Sequence, residues 1–111
     1  MKNRILGVLL FFFALTLSAQ EGSLTIMSSN IRMATENDGI NYWNYRKDWF
    51  NEMVKFKDID VFGAQEVLYS QLEDMQSGLD EYAHIGVGRR GGKKGEFSPI
   101  FYKKDAFEVL D

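Results

Sequence analysis

Two residues stand where a phosphate-directed site can be built. Asn30 lies near the end of the run Leu24 to Ile31, and Glu66 directly follows the run Asp58 to Gln65. An amide oxygen beside a carboxylate suits a hard divalent cation such as Mg2+, or Mn2+ in its place. Such an ion keeps several waters and takes only one or two protein carboxylates. A cation so held polarises a phosphoryl oxygen and neutralises charge on a leaving group. Position alone also allows a plainer account, in which Asn30 opens a turn and Glu66 is a solvated acid at a helix start. Arg32, two residues after Asn30, offers a planar donor fork to phosphate or to a neighbouring acid. Arg89, Arg90, Lys93 and Lys94 put four positive charges into one glycine-rich loop, read as a solvated turn or as a phosphate-steering lip. Glu96 follows that loop and is a further candidate for substrate contact.

The elements that must position these groups follow from periodicity. Leu24 to Ile31 and Asp58 to Gln65 read as strands. From Trp43 to Lys57 the pattern turns helical, with Trp49, Phe50, Met53 and Val54 on one face, Phe56 beside it, and Asn41 or Asn44 available as cap. Trp43, Trp49 and Phe50 are read as packing residues rather than stacking platforms. Leu68 to Leu79 is a second helix, weakened near its end by Gly78. Tyr82 to Val87 and Ser98 to Tyr102 are further strands, and Phe107 to Leu110 begins a fifth. A strand–helix–strand unit closes with a right-handed crossover and sets its strands parallel. Ligands of open α/β sheets gather at the carboxyl ends of such strands. Asn30 and Glu66 are therefore expected at one rim.

Composition narrows the classes. The chain has 111 residues, a net charge of −3, 26% charged residues, 14% aromatic residues and no cysteine. One small α/β domain is allowed, whereas a disulfide scaffold and a zinc–cysteine site are excluded. The acidic balance gives no global drive toward nucleic acid. Lys2 and Arg4, the apolar run Ile5 to Leu17 and Ser18-Ala19 form the three-part pattern of a secretory signal, with residues 1–19 removed. The run is shorter than the roughly 20 apolar residues of a spanning helix, so no stable membrane anchor is expected after cleavage. A periplasmic or secreted bacterial monomer follows. Gly86 to Gly91 has dinucleotide-fingerprint spacing, but a strand bearing Pro99 follows where the helix should be, which rejects that site. His84, the sole histidine, falls inside a strand and is read as a partly covered residue rather than a base.

Met27-Ser28-Ser29-Asn30-Ile31-Arg32 resembles the first-strand motif of the endonuclease/exonuclease/phosphatase superfamily. Asp60-Val61-Phe62-Gly63-Ala64-Gln65-Glu66 resembles its second motif. Gly95 to Lys103 is similar to a strand of its exported bacterial members, and Asn41 to Asp48 to the helix start of that branch. The resemblance implies the amino-terminal part of a four-layer α/β sandwich with a mixed β-sheet, as in DNase I. It also implies metal-dependent hydrolysis of a phosphodiester or phosphomonoester, with Glu66 as metal ligand and Asn30 positioning metal or phosphate. The later motifs of the family, with a histidine, an Asp-x-Asn pair and an Asp-His pair, have no counterpart here. Residues 20–111 are accordingly expected to be the first portion of a longer catalytic domain, inactive alone. A non-catalytic periplasmic binding module on the same scaffold is the alternative.

Overall fold

A computed structural model describes residues 22–111. The proposed signal at residues 1–19 lies outside the described residues. Strand β1 (Ile26–Asn30) leads through a 3-10 segment (Glu36–Asn41) into helix α1 (Trp43–Phe56). Strand β2 (Val61–Gln65), helix α2 (Tyr69–Gly78), strand β3 (Tyr82–Ile85) and strand β4 (Ile100–Lys103) follow. The sheet order is β1-β2-β4-β3. β1 and β2 run parallel, in register from Ile26↔Val61 to Asn30↔Gln65, while β4 is antiparallel to both β2 and β3. The sheet is mixed, as expected.

Both helices cover one face of this sheet, where the core lies. Phe62 and Phe101 are ladder partners stacked at 4.9 Å, and Phe50 and Tyr82 meet Phe62 edge-on. Trp43, Phe50 and Val54 from α1 and Leu72 and Met75 from α2 complete the layer. The helices approach closely because Gly78 leaves room. A Cβ there would lie 2.2 Å from Asn51 Nδ2, which itself donates to the Asp74 carbonyl at 3.2 Å.

The other face is open and divided by chemistry. Alternation and register place Ser28, Asn30 and Gln65 at the end where β1 and β2 finish. Toward the opposite end Ile26, 70% exposed, leaves apolar surface in contact with solvent, and Ile100, 44% exposed and paired with Gly63, does so midway along the sheet. At that end Asp60 accepts from Thr25 N–H at 2.7 Å, and Lys103 pairs with both Asp58 and Asp60. The Thr25 hydrogen bond, then Lys103, hold the Asp60 carboxyl below its ordinary value.

Three local expectations are corrected. Trp49 and Phe56 do not pack in the core; they are 69% and 88% exposed and share with Tyr45 the outer face of α1. The buried side of α1 runs instead through Trp43, Phe50 and Val54, so the apolar positions encircle more of the helix than a single face. Neither Asn41 nor Asn44 caps α1, because the 3-10 segment, capped by Thr35, runs directly into it. No fifth strand forms at Phe107 to Leu110. Ala106 and Phe107 N–H groups turn back onto the Lys103 carbonyl and end the sheet there. No described helix is long and apolar enough to cross a membrane.

Candidate functional site

The carboxyl ends of β1 and β2 meet, and their side chains touch. Asn30 donates a side-chain amide N–H to Glu66 Oε2, and its own Oδ1 accepts the Arg32 backbone N–H at 2.9 Å. The amide oxygen expected to share a cation with the carboxylate accepts from Arg32 instead, and the NH2 group faces Glu66. An amide oxygen carries two lone pairs, so one remains for another partner. Glu66 Oε1 accepts no hydrogen bond within the described chain.

Both chain reversals after the strands take up positive φ. Arg32 has φ 66° and Glu66 has φ 61°, conformations that side chains with a Cβ rarely adopt. They persist because the surrounding loops are held. Gln71, fully buried near the start of α2, spans them: its Oε1 accepts from Ala34 N–H at 3.0 Å and Leu68 N–H at 3.1 Å. Its Nε2 donates to the Arg32 carbonyl at 2.9 Å. One side chain thus satisfies backbone groups of the loop after β1 and of the loop after β2. Sequence reasoning missed Gln71. Its only signal was a glutamine three residues after Leu68, where a side chain can reach back to a helix start.

Arg32 reaches the same rim but is engaged with Asp38, at 3.2 Å from each carboxylate oxygen. That pair, with a smaller contribution from Glu66, raises the guanidinium pKa. Arg46 is likewise spent, donating to the Asn41 carbonyl at 2.6 Å and the Ile31 carbonyl at 3.1 Å. His84 lies on β3, away from the Asn30–Glu66 rim, and its Nδ1 lies 2.7 Å from Gln76 Oε1. Burial lowers its pKa. It is a partly covered strand residue, as the sequence suggested.

Arg89 and Glu96 sit in the loop between β3 and β4. That loop is tied to the rim by a bridge in which Val67 and Phe97 exchange backbone hydrogen bonds at 3.2 and 2.6 Å. Among the described residues no three acidic or histidine side chains gather into a metal cluster. The donor set at the rim is one carboxylate with an unengaged oxygen and a neighbouring amide. It fits a hydrated magnesium-type ion, which asks little more of the protein.

With that geometry in place, likeness to solved structures is decisive. A Bacteroides vulgatus endonuclease/exonuclease/phosphatase is 47% identical with a TM-score of 0.74, covering 76% of this chain and 33% of its own. A Bacteroides thetaiotaomicron protein of the same family is 42% identical with a TM-score of 0.78, covering 83% and 35%. The chain belongs to the endonuclease/exonuclease/phosphatase family. A third family neighbour, a mannosyl-6-phosphatase from Bacteroides thetaiotaomicron, is 41% identical with a TM-score of 0.77, covering 80% and 34%. The chain spans about a third of the length of these family structures. No protein-family model matches it, and no curated protein matches it significantly. The endonuclease/exonuclease/phosphatase likeness bears out the mixed α/β architecture expected from the motifs.

Proposed function

We propose that this chain supplies the first part of the catalytic site of an exported, divalent-metal-dependent phosphoesterase. The observation that carries this reading is the direct contact between Asn30 and Glu66 at the paired ends of two parallel strands. Glu66 is the residue that would hold Mg2+ or Mn2+, and Asn30 fixes its carboxylate while keeping one oxygen lone pair free. When bound, the ion supplies charge neutralisation at a phosphoryl oxygen. Arg32, held in place by Asp38, adds positive charge beside Glu66 and draws the phosphate toward the rim. Identity of 41–47% to family members, one of them a phosphatase, supports phosphate-ester chemistry. The three-part pattern of residues 1–19 supports export. Attack by water needs an activating base, for which we look outside the described rim, since His84 is held on β3 by Gln76.

The test is hydrolysis of p-nitrophenyl phosphate and bis-p-nitrophenyl phosphate by the full-length protein. Activity is expected to vanish in chelator, to return with Mg2+ or Mn2+, and to fall about a hundredfold or more in Glu66→Ala. Turnover indifferent to both changes overturns the reading. Phosphate binding without turnover makes the protein a binding module on the same scaffold.

A further inference from the structure

Side chains at the start of α1 reach the end of β1. Trp43 and Arg46 lie about one turn apart on the helix and share a face. The Trp43 ring is 1% exposed, and its Nε1–H donates to Asp74 Oδ2 of α2 at 2.9 Å, so it is anchored in the helix layer. The Arg46 guanidinium lies 5.5 Å from the centre of that ring, and its Nε donates to the Asn41 carbonyl at 2.6 Å. Its plane is thus held by an indole and a carbonyl before it meets the strand end.

What it meets there is one peptide group. β1 ends at Asn30, and Arg32 turns away with φ 66°, so the Ile31 carbonyl has left the ladder. Ile31 is 2% exposed, and a carbonyl in such a place needs a donor. Arg46 Nη2 supplies it at 3.1 Å. The N–H of the same peptide, on Arg32, donates to Asn30 Oδ1 at 2.9 Å. A peptide group is planar and resists twisting, so a fixed carbonyl edge fixes the direction of the N–H edge. The Asn30 amide extends the series, taking that N–H on its oxygen and donating from its NH2 group to Glu66 Oε2.

Three hydrogen bonds therefore run the same way through guanidinium, peptide, amide and carboxylate. A cation stands at the start and an anion at the end. In such a chain each bond polarises the next group and strengthens it as a donor. The series engages Oε2 of Glu66 and leaves Oε1 out of it.

We propose that Arg46 is a positioning residue for this site. It sets the orientation of the Glu66 carboxylate through the Ile31–Arg32 peptide and the Asn30 amide, without touching substrate. This rests on the phosphoesterase reading, which gives Glu66 the metal. Lysine is an incomplete substitute, because an ammonium has no planar fork with which to hold two carbonyls and lie over an indole.

The test is the Mg2+ affinity of the chelator-stripped full-length protein, measured by titration calorimetry alongside the Tm. Arg46→Met removes the donors, whereas Arg46→Lys keeps the charge and loses the fork. Affinity is expected to weaken about tenfold or more in Arg46→Met, and by less in Arg46→Lys. In an Asn30→Ala background either change should alter it by less than about twofold, since the route to Glu66 is already cut. Val54→Ala, which opens a cavity in the core beneath α1, should lower the Tm and leave Mg2+ affinity at the wild-type value. Unchanged affinity in both Arg46 variants, factors that multiply in the double variants, or an equal loss in Val54→Ala each overturn the inference. Should Arg46→Met fail to fold, Arg46→Lys alone decides by the same comparisons. A loss of affinity in Glu66→Ala with none in the Arg46 variants overturns the positioning role alone. Wild-type affinity in Glu66→Ala overturns the phosphoesterase reading, and the role of Arg46 with it.

Discussion

Asn30 and Glu66, 36 positions apart in sequence, meet through an amide N–H on a carboxylate oxygen where β1 and β2 end side by side. The amide therefore acts on the carboxylate's orientation. Asn30→Ala leaves Glu66 in place but free to rotate. Metal affinity, read by titrating Mg2+ into the chelator-stripped protein, should weaken about 10–100-fold, the usual effect of losing an orienting partner. Unchanged affinity would show that Glu66 needs no guide.

Glu66 itself is predicted to trade stability for position. Its φ of 61° is unfavourable for a residue with a Cβ, by about 1–2 kcal/mol. Glu66→Gly should raise the urea midpoint while metal-dependent activity is lost. A lower midpoint would mean the backbone there is not strained.

Gln71 should behave as a structural keystone. Replacement by leucine leaves two N–H groups and one carbonyl without their partner in a buried place. At about 1–3 kcal/mol for each such group, a loss of at least about 3 kcal/mol is expected in urea denaturation. Gln71→Glu keeps the two acceptor bonds and should lose less.

His84 gives the stability a dependence on pH near neutrality. Burial lowers its folded pKa below the ordinary value of about 6.5, so the unfolded chain takes the proton first. Its contribution is complete above that ordinary value and declines as pH falls through the folded one. The Tm should drop between pH 7.5 and pH 5, and His84→Gln should flatten that drop. Gln76 Nε2 already serves the Leu79 and Tyr82 carbonyls, which leaves Oε1 to accept from Nδ1–H of the neutral ring.

The parallel pairing of β1 with β2 and the meeting of Asn30 with Glu66 were readable in the sequence, because a strand–helix–strand unit sets its two strands parallel and ends them on one rim. Trp49 and Phe56 were not. Hydrophobicity alone does not separate a packing aromatic from one facing water when apolar residues surround a helix. Gln71 was hidden for a different reason. Its value lies in three backbone groups brought to it by two loops, and side-chain identity says nothing of where distant backbone will lie. The loop that carries Arg89 and Glu96 was half visible: its charges stood out, but the bridge from Phe97 to Val67 that ties it down has no local signature. Phe107 to Leu110 looked like the beginning of a strand, yet the turn at Lys103 precedes them.

The parallel pairing of β1 with β2 also bears on the order in which the molecule assembles. The β3–β4 pair can zip once its loop closes, and α1 and α2 form from near neighbours in sequence. Asn30 and Glu66 can meet only after the whole intervening stretch has docked, and contacts so distant along the chain are slow to form. On a ribosome, the carboxylate would emerge tens of residues after its amide partner. Pulsed deuterium labelling during refolding should accordingly find the Ile31 amide, which bonds the Gln65 carbonyl, shielded later than amides within α1.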